Sequence, residues 1–233
     1  MFDNKKIMVV VAHPDDELLG LGGTMHKLIK SGNVSTHVVI LGEGITSRAD
    51  NRDTEKCKRE LEIHRCNIKK AQEAIGYHSI STYNFADNRF DSHDFLDIVK
   101  IIEKEKQAFS PDIIFTHHGG DLNIDHQITF RAVVTATRPM QHEIVRMIIT
   151  FETPSGTEWQ ASNDPFKFSP NMFVNIEQED LDAKIKGMEA YEFERREYPH
   201  PRSPKALQIC AQYRGVQIGC AYAEAFQIIR ILV

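Results

Sequence analysis

The chain has 233 residues, 41% of them hydrophobic and 26% charged. That is one large domain or two small ones, long enough to bury roughly 70% of its unfolded surface without a disulfide or metal to hold it. A net charge of −5 and a pI near 6.1 argue against a nucleic-acid binder, which shows a basic face. No run approaches the ~18 apolar residues of a membrane span.

In chain order, residues 7–12 form a continuous apolar run, the pattern of a strand buried on both faces. The run is too short for a secretion signal, so the chain is expected in the cytoplasm. Residues 18–30 carry Leu21, Met25, Leu28 and Ile29 at helical spacing, and Ser31-Gly32-Asn33 stops them. Strands are expected at 34–41, 80–85 and 112–116, with helices at 53–75, 93–109 and 125–137 between and after them. Beyond, 144–152 reads as a strand, 153–170 as a polar loop, 173–176 as a short strand and 178–197 as a charged helix. Residues 204–213 read as a helix and 225–233 as a final strand. Strands alternating with helices of this length indicate βαβ units and a parallel sheet covered on both faces. No internal repeat or linker divides the chain, so residues 1–233 are expected to form one α/β domain. Four cysteines, Cys57, Cys66, Cys210 and Cys220, make no CxxC pair and read as free buried or half-buried thiols of a reducing compartment.

Ligands of open α/β sheets bind beyond the carboxyl ends of the strands. Three loops there concentrate polar residues: His13-Pro14-Asp15-Asp16-Glu17, the segment 43–48, and the stretch from His117 to His126. Imidazoles with one carboxylate suit Zn²⁺, and three protein ligands leave a position open for water. His13 and Asp16 lie three apart across a strand-to-helix turn, close enough to share one ion, and His126 supplies a third ligand from across the crevice. Asp15, on the same turn, is placed to take a proton from water. Taken alone, the first segment also reads as an acidic helix N-terminus favoured by the macrodipole.

Ala12-His13-Pro14-Asp15-Asp16-Glu17 resembles the opening motif of the LmbE/PIG-L family of metal-dependent de-N-acetylases, which act mostly on N-acylated amino sugars. The resemblance continues in Gly44-Ile45-Thr46-Ser47-Arg48, Asp87-Asn88-Arg89, Asp121-Leu122-Asn123-Ile124-Asp125-His126 and Ala223-Glu224-Ala225-Phe226. It implies a Rossmann-like α/β/α sandwich with a mostly parallel sheet, one Zn²⁺ per chain on His13, Asp16 and His126, and Asp15 as general base. Many members have His-Pro-Asp-His at the second motif, where this chain has Asn123-Ile124-Asp125-His126. Asparagine can donate a hydrogen bond to an oxyanion but cannot deliver a proton. Either Asp15 carries the proton both ways or another acid does so, with His200 in Tyr198-Pro199-His200-Pro201-Arg202 the candidate.

Arg48, Asp87, Asn88 and Arg89 are candidate contacts for sugar hydroxyls or a phosphate; a solvated arginine and an Asx turn are the plainer readings. His117 and His118 are read as partners orienting the ligands, and Glu224 as a positioning group or a buried partner of an arginine. The reading is therefore a zinc N-deacetylase for a small amino-sugar substrate, with specificity expected in the loops 42–52 and 153–170. The alternatives are a metal-dependent phosphoesterase and a non-catalytic sugar or nucleotide binder. No GxGxxG follows the first strand, which weakens a dinucleotide reading. The apolar final strand, if a sheet edge, offers a surface for a homo-oligomer.

Overall fold

The computed structural model describes residues 1–48 and 52–233. The loop expected at 42–50 is described as far as Arg48, and its last two residues lie outside the described ones, as do three positions of the 42–52 specificity loop. The strands are β1 (Lys5–Val11), β2 (Val34–Gly42), β3 (Ser79–Phe85), β4 (Ile113–His117), β5 (Met147–Phe151), β6 (Met172–Ile176) and β7 (Tyr222–Ile231). They form a single sheet in the order β3-β2-β1-β4-β5-β7-β6, in which β7 alone runs against its neighbours β5 and β6.

The unbroken apolar run of β1 has a direct cause. Ile7, Val9 and Val11 point into one buried cluster and Met8, Val10 and Ala12 into the other. With side chains alternating between two covered faces, every position must be apolar, at roughly 1.5–3 kcal/mol for each large aliphatic chain removed from water. Helices α1 (Asp16–Leu19), α2 (Gly22–Lys30), α3 (Lys58–Ile75) and α6 (Gln178–Ala190) contribute to the first cluster, while α4 (Phe95–Phe109) and α5 (Ile124–Ala136) close the second. The result is the expected three-layer α/β/α sandwich. Strand order reverses between β1 and β4, so the loops leaving their carboxyl ends part and open the crevice of a doubly wound sheet.

Several boundaries differ from the sequence reading. The helix expected over 18–30 is two helices, broken at Gly20 and Leu21. A Cβ on Gly20 would fall 2.1 Å from the Phe151 ring, so the chain there lies directly on β5. The break also creates a helix N-terminus whose Gly23 and Thr24 N–H groups donate to the Glu224 carboxylate at 3.1 and 2.7 Å. Lys184, and not an arginine, is the buried ion-pair partner of Glu224, at 2.6 Å. The charged helix expected to reach 197 ends at Ala190, and the one expected over 204–213 continues to Ile218 as α7 (Pro204–Ile218). The final strand is no free edge along its length, since β6 pairs with it from Tyr222 to Phe226; only beyond that point is it paired on the β5 side alone. All four cysteines are free, with Cys66 and Cys210 exposed where burial was expected.

His64, on α3, is buried beneath the loop that leaves β2, and its ring packs 5.5 Å from that of Tyr191. Burial, aided by the positive charge of Arg48, pushes its pKa down to about 4, against about 6.5 in the unfolded chain. Between those values the unfolded state binds the extra proton. The contribution of His64 is thus fully present above pH ~6.5 and is lost as the pH falls toward 4, to the extent of about 3 kcal/mol. Urea denaturation at pH 7.5 and pH 5 should show a smaller loss of stability on acidification for His64→Gln than for the unsubstituted chain. Equal losses would show that His64 does not carry this pH dependence.

Candidate active site

The turn after β1 is built by its own carboxylates. Asp16 Oδ2 accepts the His13 N–H at 2.8 Å and Glu17 Oε2 accepts the Asp15 N–H at 3.0 Å, satisfying donors that a helix start leaves free. Asp15 itself sits at φ 103°, a left-handed conformation costly for a residue with a Cβ and one that clusters at functional sites. Glu17 is locked beneath the turn, where its other oxygen accepts the Tyr191 hydroxyl at 2.6 Å and its carbonyl accepts that of Tyr77 at 2.9 Å. Burial raises the Glu17 carboxyl to about 7.

Across the switch point, Asn123 caps α5, its side-chain oxygen accepting the Asp125 N–H at 2.8 Å. This cap sets the first turn of α5 and aims His126 back at β1. The ligand atoms of His13, Asp16 and His126 lie within 4.8 Å of one another, all three residues buried. Asp16 Oδ2 is 3.5 Å from His13 Nδ1 and 3.4 Å from His126 Nε2. Behind each imidazole stands a further carboxylate: Asp125 Oδ2 at 2.9 Å from His13 Nε2, and Asp121 Oδ1 at 3.0 Å from His126 Nδ1. A carboxylate on the far nitrogen fixes the ring and its tautomer and leaves the near nitrogen as a metal donor.

The electrostatics point the same way. Burial alone would lower the His126 pKa, but Asp16 and Asp121 outweigh it and push it up to about 9. His13 is likewise raised, burial being overcome by Asp125 and Asp16. Asp16 is held well below the usual carboxylate range, because the cost of burying it is outweighed by His126 and His117 together. Buried acids thus surround both rings and call for positive charge between them, which a divalent ion meets by displacing protons. The donor set of two nitrogens and one oxygen fits such an ion.

A second group, His13, Asp87 and Asp125, shares the His13 ring. Its carboxylates are already engaged: Asp125 Oδ1 accepts the Phe90 N–H at 2.9 Å and Asp87 Oδ2 the Ser47 hydroxyl at 2.6 Å. These acids read as supports of the first group and not as a second centre.

His117 works differently from its neighbour. Its Nε2 accepts the Ala12 N–H at 2.9 Å, its Nδ1 faces the Thr153 hydroxyl at 3.1 Å, and its ring stacks on His126 at 3.9 Å. It is therefore a neutral spacer behind His126, and burial beside that ring lowers its pKa to about 4. His118 turns away to the Phe166 carbonyl, 2.6 Å from its Nε2.

A polar cavity of about 260 Å³ opens onto this cluster, and its lining includes His13, Asp15, Arg48, Asp87, Asn88, Asn123 and His200. Of the expected substrate contacts, Arg89 is not part of that lining. Arg202, Arg196 and Glu194, which carry no signal in the sequence, join it, as does Ser155 of the 153–170 loop in which specificity is expected. Arg202 donates to Asp15 Oδ2 at 3.0 Å, to Glu194 Oε2 at 2.6 Å and to the Ser155 hydroxyl at 2.8 Å. Burial raises the Asp15 carboxyl well above the usual range, with Arg202 opposing. A second, largely apolar cavity of about 320 Å³ lies behind the loops carrying Pro154, Pro199 and Pro201; it contains none of the metal-ligand candidates.

Exchanging Asp121 for Asn should weaken divalent-metal binding about 10–100-fold, measured by competition with a chromophoric chelator, with a far-ultraviolet spectrum like that of the parent. Unchanged affinity would remove Asp121 from the metal's support.

A family model described as GlcNAc-PI de-N-acetylase, PIG-L, matches residues 8–137. The diacetylchitobiose deacetylase of Thermococcus kodakarensis is 27% identical over 236 residues, spanning 97% of this chain and 84% of that one. The crystal structure of N,N'-diacetylchitobiose deacetylase from Pyrococcus horikoshii superposes with a TM-score of 0.76 at 19% identity, covering 97% of this chain and 84% of that one. A 4-carboxy-2-hydroxymuconate hydratase from Pseudomonas putida has a TM-score of 0.75 at 19% identity, covering 98% of each chain, so the fold by itself does not decide the reaction. With the family model spanning more than half of its length, from inside β1 to the end of α5, the chain belongs to the PIG-L de-N-acetylase family.

Proposed function

We propose that this protein is a zinc-dependent N-deacetylase that removes an acetyl or similarly small acyl group from an amino sugar, an N-acetylglucosaminyl compound in particular. The observation that carries this reading is the convergence of His13, Asp16 and His126, with the unliganded Asp15 on the same turn facing a polar cavity. The family description and the deacetylase relatives support the amide of an N-acetyl sugar as the bond attacked. When bound by His13, Asp16 and His126, Zn²⁺ supplies Lewis acidity at a position that three protein ligands leave open. One ion per chain is the count that fits, since the second group shares His13 with the first and its carboxylates, which a two-metal phosphoesterase would want as bridges, are engaged elsewhere. Free thiols throughout agree with a reducing, cytoplasmic setting, and no helix among the described residues is long and apolar enough to cross a membrane.

Asp15 takes the proton of the attacking water. Its carboxyl, raised by burial and tempered by Arg202, is suited to hold that proton and return it to the departing amine. One Asn123 N–H is spent on Asn88 Oδ1 at 2.8 Å; the second is left to stabilise the oxygen of the tetrahedral species. His200 is the weaker candidate for the acid. Its Nδ1 accepts the Arg202 N–H at 3.2 Å, and partial burial, with Arg202 and Arg196, lowers its pKa, which disfavours the protonated ring that a general acid needs. Arg48, Asp87 and Asn88 bound the space for the sugar hydroxyls.

For zinc-loaded protein acting on N-acetylglucosaminyl compounds, Asp15→Asn should cut acetate release about 10²–10⁴-fold with the zinc content intact. A variant keeping most of its rate would exclude Asp15 as the base.

A further inference from the structure

The largely apolar cavity of about 320 Å³ shares a wall with the polar one. Two loops make that wall, and neighbouring residues in each face opposite sides. Pro154 and Glu158 line the apolar cavity, whereas Ser155 and Trp159 line the polar one. Pro199 and Pro201 again line the apolar cavity, whereas His200 and Arg202 line the polar one. The wall is therefore a single chain thick. Its two loops are joined on the polar side, where Arg202 Nε donates to the Ser155 hydroxyl at 2.8 Å and the Trp159 and His200 rings meet edge to face at 5.7 Å. From this wall Arg202 reaches Asp15.

The buried pair of Lys184 and Glu224 also lines the apolar cavity. Glu224 is fully engaged, accepting from the Gly23 and Thr24 N–H groups and from Lys184. Lys184 is not. Its side chain is only 8% exposed, its ammonium carries three donors, and among the described residues Glu224 is its one hydrogen-bond partner. A buried ammonium with donors to spare beside an apolar space calls for an oxygen acceptor. The remaining charges of the lining are already paired. Glu152 holds Arg214 Nε at 2.7 Å, and Glu158 accepts the Ser155 N–H at 2.6 Å. Glu152, Glu158 and Glu224 outnumber Lys184 and Arg214, which disfavours an anionic ligand, and an amine would bring donors where an acceptor is wanted. The volume is that of a small-molecule site.

We propose that this second cavity is an effector site for an uncharged amphiphile, a small molecule with an apolar body and one hydroxyl or carbonyl oxygen that Lys184 receives. The cavity exists only while the shared wall stands as it does here, so a ligand that fills it favours that arrangement. It thereby braces Arg202 against Asp15 from behind and promotes turnover in the neighbouring cavity without entering it. The effect on turnover rests on the deacetylation reading; the binding site does not.

Phenylpropanol, phenylpropionate and phenylpropylamine share a body and differ in the head group. Phenylpropanol should change the emission of Trp159, the single tryptophan, in a saturable way. It should also slow alkylation by iodoacetamide of Cys210, which is exposed and lines the cavity, with exposed Cys66 on α3 as the unaffected reference. The acid and the amine should act about tenfold more weakly. In the zinc-loaded protein, saturating phenylpropanol should raise kcat/KM for acetate release from methyl N-acetylglucosaminide about fivefold. Ala206→Phe, which places a ring in the cavity, should abolish the Trp159 response. Equal response to the three head groups, an unprotected Cys210, a response that survives in Ala206→Phe, or acetate release that is not raised overturns the proposal. Should no acetate be released with or without phenylpropanol, the deacetylation reading fails alone, and Trp159 emission and Cys210 protection still decide the site.

Discussion

Two imidazoles and a carboxylate brought face to face inside a protein repel or attract strongly enough to need an explanation, and here the explanation is the pair of acids behind them. Asp125 holds His13 and Asp121 holds His126, while Asp16 lies between the rings. Burying this much negative charge is costly unless a cation balances it. Both histidines answer with raised pKa values, and a divalent ion answers better, since it serves all three donors at once. The surrounding architecture preserves this arrangement: the β1/β4 switch point opens the crevice, the Asn123 cap directs α5, and stacked His117 sets the distance to His126.

The same turn separates two adjacent aspartates into different tasks. Asp16 faces the histidines and is held ionised. Asp15, thrown outward by its left-handed backbone, faces Arg202 and the cavity. Glu17 completes the device from below, since its carboxylate receives the Asp15 N–H and the Tyr191 hydroxyl. The connection between α6 and α7 then closes the site, bringing Glu194, Arg196, His200 and Arg202 over a crevice otherwise built by the first half of the chain. A core assembled from residues 8–137, the span of the family match, is thus roofed by a segment outside that span.

Much of this was legible beforehand. The apolar period of β1, the alternation of strands and helices, and the polar loops at strand ends indicated a doubly wound sheet and the crevice where its chemistry belongs. His13, Asp16 and His126, whose ligand atoms lie within 4.8 Å of one another, could be picked out by residue type and by two short motifs, each local to its own strand end. Asp121 and Asp125 sat within the quoted motif without a role; the rule that ligating histidines rest on carboxylates was the signal available for them. Arg202 and Arg196 carried no such signal. A charged residue in a proline-rich loop looks alike in sequence whether solvated or turned onto an active-site acid.

What the amino-acid order determined by itself is whatever depends on neighbours in the chain: periodicity, caps, the geometry of the His13–Glu17 turn and the residue types able to bind a metal. Only the tertiary structure decided which distant groups meet. It broke the helix expected over 18–30 so that Glu224 of β7 could cap α2. It placed the first half of β7 between β5 and β6 and left the rest paired to β5 alone, and it set Arg202 against Asp15 across 187 positions of chain. Those pairings follow from packing both faces of a sheet and satisfying each buried charge, a constraint on the whole molecule that no local window contains.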